Sequence, residues 1–198
     1  TVRTLKNEAP HTLFFLIASA VFRDGLAGVF TFGAVLAKTA FGFSAGQVMI
    51  FAIAANIVAG LATVAFGWVD DKIGPKKVII LSLCAMGVFF LHARGPIVFW
   101  TLGLTLCVFV GPTQSASRSF LSRIIPAGRE GEVFGLYATT GRAVSFMAPA
   151  MYSLFLMLGK RMTPAGADYT YWGILGIMLI LGIGLALTIP VKADRATL

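Results

Sequence analysis

Six apolar stretches fill most of this chain, and each is long enough to cross a lipid bilayer as a helix. A hydrocarbon core of about 30 Å requires about 20 predominantly apolar residues in helical form. The stretches cover about residues 11–37, 48–69, 77–94, 96–117, 132–158 and 170–190. This pattern predicts an all-α membrane protein with six transmembrane helices.

The composition excludes a soluble fold. Of the 198 residues, 58% are hydrophobic and only 12% are charged, and the mean hydropathy is +0.87. Six such helices cannot all be interior in a soluble domain of this size. The first stretch is no signal peptide, because it is too long and contains Arg23 and Asp24. Because the chain begins at Thr1 and not at Met, we expect it to be part of a longer polypeptide.

The basic residues divide by membrane side. With six spans, the two termini and alternate loops share one compartment, and that side carries most of the cations: Arg3, Lys6, Lys72, Lys76, Lys77, Arg118, Arg123, Arg129, Lys192 and Arg195. The opposite side carries Lys38, Arg94, Lys160 and Arg161. The positive-inside rule therefore predicts that both termini are cytoplasmic. Orientation explains the net charge of +8 without a nucleic-acid partner.

The loop between the second and third spans carries the most specific local pattern of the chain. It reads Gly67-Trp68-Val69-Asp70-Asp71-Lys72-Ile73-Gly74-Pro75-Lys76-Lys77. Gly67 permits close helix approach, Asp71 can accept hydrogen bonds from a neighbouring helix N-terminus, and Gly74 with Pro75 ends one helix and starts the next. An ordinary solvated cytoplasmic turn is the alternative interpretation.

These residues resemble the signature of the major facilitator superfamily, with Gly67, Asp71, Lys72, Gly74 and Lys76 in its places and Pro75 where a basic residue is usual. Three further segments resemble vacuolar effluxer-type facilitators, whose bacterial members form the unknown major facilitator family: 23–26, 109–119 and 128–137. The resemblance implies the C-terminal half of a twelve-helix transporter, built as a 3+3 inverted repeat. It also implies that Asp71 acts as a conformational latch, and a bacterial plasma membrane is the expected location.

Several polar residues lie inside the predicted spans. A charge at the bilayer centre costs about 2.5 to 3.5 kcal/mol on insertion scales, so such a residue normally faces a partner or a watery cavity. The candidates for substrate or cavity contacts are Arg23, Asp24, Asn56, Gln114 and Arg142. Spans three and six have little polarity and are expected to be lipid-facing or scaffold-like.

Arg23 and Asp24 are adjacent and therefore point about 100° apart on a helix. We expect Asp24 to pair with Arg142 across spans one and five, which leaves Arg23 to face the cavity or the missing half. A purely structural ion pair is equally compatible with the sequence. Small residues in span two, namely Ala52, Asn56, Gly60, Thr63 and Gly67, predict a narrow face for close helix packing.

The sequence favours a secondary active transporter that moves a small solute by alternating access, with amino acids or related metabolites among the candidate solutes. No nucleophile motif, metal-ligand cluster or phosphate-binding loop points to an enzyme, and no cofactor is expected. The expected partners are the lipid bilayer, a small-molecule substrate and a second six-helix half. The alternative is a structural six-helix module that pairs with another half or with itself. Substrate, transport direction and coupling ion stay open.

Overall fold

The computed structural model describes residues 9–90, 96–164 and 169–191, and the regular structure in these ranges is helical. Seven helices follow in chain order: α1 Pro10–Thr39, α2 Ala45–Ile73, α3 Pro75–Phe90, α4 Pro96–Ile124, α5 Glu130–Ala143, α6 Met147–Met162 and α7 Tyr171–Thr188. The predicted end of span three at residue 94 and the cations Arg3, Lys6, Arg94, Lys192 and Arg195 lie outside the described residues.

Among the described residues, four segments are long and apolar enough to cross a membrane: α1, α2, α7 and the α5–α6 pair taken together. The prediction of an all-helical protein with membrane-length helices is therefore confirmed. The described part of α3 has 16 residues and ends where residues 91–95 fall outside the described part of the chain. The count of six crossings and the 3+3 repeat stay predictions.

The fifth predicted span, 132–158, lies within a segment long and apolar enough to cross a membrane, but it is not one continuous helix. It is divided into α5 and α6 by a turn at residues 144–146. Pro149 explains the position of the break, because a proline in a helix lacks an N–H and its ring clashes with the carbonyl four residues earlier, here that of Ser145. Beginning a new helix at Met147 places Pro149 in a first turn, where proline is tolerated.

The α1 helix lies at the centre of the bundle and packs most extensively along α7, with further contacts to α4, α5 and α6. Phe15, Phe22 and Leu26 on α1 are completely buried. Glycines allow this close approach: a Cβ added at Gly184 would lie 2.9 Å from the Phe22 Cα. Small residues that bring backbones together are the usual basis of helix packing in membranes.

The α2 helix is held mainly by α4 and is otherwise exposed. Ala55 and Ala62 are its buried residues. Its apolar exposed side chains are those expected of a surface against lipid: Met49, Ile50, Ile53, Ile57, Leu61, Val64 and Trp68. The tightest contact to α4 is at Gly111, where an added Cβ would overlap the Ala59 carbonyl and the Thr63 hydroxyl.

The predicted narrow face of span two is largely uncovered. Gly60 and Gly67 have no atom within 4 Å of an added Cβ among the described residues, and the Asn56 side chain is exposed. Only Thr63 of this face lies at the close contact with α4. Within the described part of the chain this face is closely packed at Thr63 and open at Gly60 and Gly67, so the approach of another helix to the open part stays a prediction.

At the C-terminal ends of two helices, backbone carbonyls accept hydrogen bonds from side chains of neighbouring helices. The Thr12 hydroxyl on α1 donates to the Ile124 carbonyl at 2.6 Å, at the end of α4. The Lys76 ammonium on α3 donates to the carbonyls of Ile189 and Val191, both at 2.6 Å, just beyond the end of α7. The last carbonyls of a helix lack intrahelical donors and carry partial negative charge, so these contacts satisfy them and connect neighbouring helices.

Substitution of Gly184 tests the packing of α1 on α7. Gly184→Leu is expected to destabilise the protein by about 1 to 3 kcal/mol, because the new side chain must displace the Phe22 backbone. Gly182→Leu on the same helix is the matched control, since nothing lies within 4 Å of its added Cβ. Thermal unfolding in detergent measures both. Equal melting temperatures for the two variants would contradict this packing.

Candidate functional site

The start of α6 meets a buried carboxylate of α1. The Ala148 N–H donates to Asp24 Oδ2 at 2.6 Å, and Asp24 is only 7% exposed. Gly28, one turn after Asp24, makes room for this contact, since a Cβ there would lie 2.9 Å from the Ala148 Cβ. Asp24 thus acts as an N-terminal cap supplied by another helix.

The carboxylate completes the hydrogen bonding of the first turn of α6. Phe146, at the N-cap position, has no side-chain capping bond. The Met147 N–H donates to the Val144 carbonyl, Pro149 has no N–H, and the Ala148 N–H is the donor that Asp24 accepts. A carboxylate is favoured at this position because a helix N-terminus carries about half a positive charge.

Arg23 turns the other way, onto α5. Its Nη1 donates to the Tyr137 carbonyl at 2.9 Å, and its guanidinium carbon lies 3.8 Å from the centre of the Tyr137 ring. Gly141, one turn further, leaves space for the guanidinium, because a Cβ there would lie 3.0 Å from Nη2. A hydrogen bond and a cation–π contact therefore hold this cation inside the bundle.

Tyr137 extends the contact to a third helix. Its hydroxyl lies 2.9 Å from the Ser117 hydroxyl on α4, and this hydrogen bond is buried. A polar chain therefore runs from Arg23 on α1 through Tyr137 on α5 to Ser117 on α4. We call Arg23, Asp24, Ser117, Tyr137 and Ala148 the polar cluster.

The expected ion pair between Asp24 and Arg142 was wrong. Arg142 is exposed at the end of α5, whereas Asp24 is buried and bonded to the backbone of α6. Arg23 packs on Tyr137 within the bundle, and its facing the cavity or a second half stays a prediction. The two adjacent side chains do diverge, as helix geometry predicted.

The other candidate residues are not brought into the polar cluster. Asn56 is exposed on α2, and its Nδ2 donates to the Ala52 carbonyl of its own helix at 2.8 Å. Gln114 is half-buried on α4. Arg142 is exposed on α5 and makes no ion pair or side-chain hydrogen bond with the described residues.

The signature loop has the predicted backbone. Gly74 ends α2 with a φ of +88°, which favours glycine, and its N–H donates to the Asp70 carbonyl at 2.9 Å. Pro75 then begins α3, where a missing N–H costs no helical bond. Helix termination by Gly74 and Pro75 is therefore confirmed.

The charged residues of the loop have distinct surroundings. Asp71 is exposed and accepts no hydrogen bond from the described residues, so the expected capping of a neighbouring helix is not present there. The neighbouring Asp70 instead lies in a small cleft beside Pro112 and Ser115 of α4. Lys72 lies over the Trp68 ring, with Nζ 3.7 Å from the ring centre.

Comparison with known proteins decides the family. The family model for vacuole effluxer Atg22-like proteins matches residues 1–197. The chain belongs to the vacuole effluxer Atg22-like family. The relationship to facilitator-type transporters, predicted from the signature loop, is confirmed.

Curated relatives of this Atg22-like chain are distant. The uncharacterized MFS-type transporter YxiO of Bacillus subtilis is 20% identical over 84% of this chain and 39% of its own length. Autophagy-related protein 22 of Coccidioides immitis is 24% identical over 96% of this chain and 33% of its own length. The probable nitrate/nitrite transporter NarK2 of Mycobacterium tuberculosis is 27% identical over 74% of this chain and 36% of its own length. The chain therefore spans 33–39% of these relatives, which are named as transport or autophagy proteins and not as enzymes.

Removal of the Asp24 carboxylate tests the cap. Asp24→Ala leaves the buried Ala148 N–H without an acceptor and is expected to cost about 1 to 3 kcal/mol of stability. Asp24→Asn keeps an acceptor oxygen and should cost less. Arg142→Ala is the control and should stay within about 0.5 kcal/mol, as is usual for an exposed side chain. Chemical unfolding in detergent measures the stability of all three variants. A loss of stability in Arg142→Ala equal to that in Asp24→Ala would contradict the cap and favour the ion pair between Asp24 and Arg142.

A double-mutant cycle tests the bond between Ser117 and Tyr137. Tyr137→Phe and Ser117→Ala each remove one hydroxyl, and each should lower the free energy of unfolding by about 1 kcal/mol. Combined, they should cost clearly less than the sum, because the same hydrogen bond is lost only once. Strict additivity would show that the two hydroxyls do not interact.

Proposed function

We propose that this chain is the C-terminal half of a major facilitator transporter, which moves a small solute by alternating access together with a preceding half. Membership in the Atg22-like family supports this proposal. The chain spans 33–39% of the length of the relatives, so proteins of that length have room for a second half. In this proposal the bundle crosses the membrane six times with both termini in the cytoplasm.

The exposure of the Arg142 side chain is the observation that best supports this proposal. Arg142 lies twelve residues after the start of α5 at Glu130, which is about 18 Å along a helix and therefore deep in the membrane. It is exposed, with no anionic partner among the described residues. A cation at this depth is too costly to face lipid, so its exposed side faces a water-filled cavity that a second half closes.

Other exposed polar residues support the same interface. Thr139 lies about one turn before Arg142 on α5, and Asn56 lies near the middle of α2. The uncovered small residues Gly60 and Gly67 leave space for helices of the second half. In this proposal Arg23 and Asp24 support the cavity wall from behind, while Asn56, Gln114 and Arg142 face the cavity.

The break between α5 and α6 supplies a place for movement. Alternating access requires parts of the bundle to rock or bend, and helices interrupted near the middle of the membrane are typical of transporter sites. The turn at residues 144–146 separates α6 from α5, while Asp24 joins α6 to α1 and Arg23 joins α5 to α1. We infer that α5 and α6 change their angle to each other at this turn while each stays attached to α1.

The signature loop is proposed as the latch of this movement. Asp71 is exposed at the end of α2, where a helix N-terminus of the second half can approach it. Lys76 is bonded to the end of α7 and keeps the loop in place. Gly67 and Lys72 flank the aspartate, and Gly74 sets the direction in which the loop leaves α2.

The proposed solute is small and carries an anionic group that Arg142 binds, as the carboxylate of an amino acid does. Reconstitution of the whole polypeptide that contains this chain tests this proposal. Uptake of amino acids and uptake of nitrate into proteoliposomes are measured separately, and we expect flux of one of these two kinds of solute. Arg142→Gln should lower this flux at least about tenfold, the effect of losing about 1.4 kcal/mol of charge-assisted bonding.

Lys160→Gln is the matched control, because Lys160 is an exposed cation at the end of α6. It should keep the flux of the parent protein. Equal flux in the Arg142→Gln and Lys160→Gln proteins would contradict a role for Arg142 in binding the solute in the cavity. Absence of flux for every solute tested, with the protein folded, would favour a structural six-helix module.

A further inference from the structure

A cavity of about 370 Å³ lies between α1, α2 and α4, away from the polar cluster. Three aromatic rings contribute to its wall: Phe30 from α1, Phe51 from α2 and Phe99 from α4. Phe51 and Phe99 pack against each other with ring centres 5.2 Å apart. Small-molecule sites typically have volumes of about 300 to 1,000 Å³ and mainly apolar walls.

The polar groups of the wall are few. Among the described lining residues none is charged, and Asn56 and Cys107 are the ones with polar side-chain atoms. The Nδ2 of Asn56 is already bonded to the Ala52 carbonyl, while its Oδ1 accepts no hydrogen bond from the described residues. The cavity therefore offers the Asn56 carbonyl as its main hydrogen-bond acceptor, with the second N–H of that amide and the Cys107 thiol as the other polar side-chain groups.

This chemistry selects among small solutes. A small inorganic anion would lose its hydration here without meeting a cation, which is costly. A saturated hydrocarbon would leave the Asn56 carbonyl without a donor. A flat aromatic molecule with a single N–H or O–H donor matches both the rings and the amide.

We propose that this cavity is a binding site for small aromatic solutes with one hydrogen-bond donor, of which indole is the simplest probe. The proposal goes beyond the proposed transport function, because it assigns a second ligand site that does not include Arg142 and takes an uncharged solute. Asn56 orients the solute through its Oδ1, and the three phenylalanines enclose its ring.

Glycines on the wall provide a direct way to fill the cavity. Gly33 on α1 lines it and has no atom within 4 Å of an added Cβ, so a larger side chain can enter the empty space without displacing a neighbour. Gly182 on α7 has the same open surroundings, does not line the cavity and serves as the matched control.

Binding of radiolabelled indole to the whole polypeptide in lipid nanodiscs tests the site, with empty nanodiscs as the background. Saturable binding is expected for the parent protein and for Gly182→Leu. Gly33→Leu should bind indole at least about tenfold more weakly than the parent protein does, equivalent to about 1.4 kcal/mol of binding free energy. Thermal unfolding of both variants confirms that they are folded.

Indene, which has the shape of indole but no N–H donor, tests the role of Asn56. Indole should compete about fivefold better than indene in the parent protein, and Asn56→Ala should remove this preference. Nitrate should not compete. Any of three results would overturn the proposal. These are indole binding to Gly33→Leu as strong as to the parent protein, competition by nitrate, and dodecane binding as strong as indole binding.

The two proposals fail separately. Saturable indole binding without flux of any solute would contradict the transport function and leave the site intact. Flux of other solutes without saturable indole binding would contradict the site and leave the transport function intact.

Discussion

One helix of this protein begins inside the bundle, and a single buried carboxylate on another helix accepts its open N–H. A backbone donor without a partner costs several kcal/mol in lipid, because no water is available to replace the missing bond. Pro149 forces the fifth span to restart at Met147, and Asp24 accepts the N–H of Ala148. The arrangement of α1, α5 and α6 depends on this contact.

The same constraint recurs at other helix ends. Thr12 binds the last turn of α4, and Lys76 binds the carbonyls beyond α7, so each of these two helix ends is connected to a different helix. Glycines such as Gly28 and Gly184 bring the backbones close enough for these contacts. Polar groups join the helices at a few points, and close packing joins them along their length.

The sequence was sufficient for the parts of the fold that depend on local chemistry. The apolar stretches predicted membrane-length helices, Gly74 with Pro75 predicted the end of α2, and the loop that contains them indicated the family. The partner of Asp24 could not be predicted, because charge patterns indicate opposite charges and not a free backbone N–H. Pro149 was the available signal, since a proline within a span indicates a helix break.

Hydrogen exchange at the Ala148 amide tests the central contact most directly. Compared with the parent protein, Asp24→Ala should accelerate exchange in the first turn of α6 at least about tenfold, corresponding to about 1.4 kcal/mol of lost protection. Arg142→Ala should leave that amide unchanged. Equal protection of Ala148 in the parent and Asp24→Ala proteins would contradict the account.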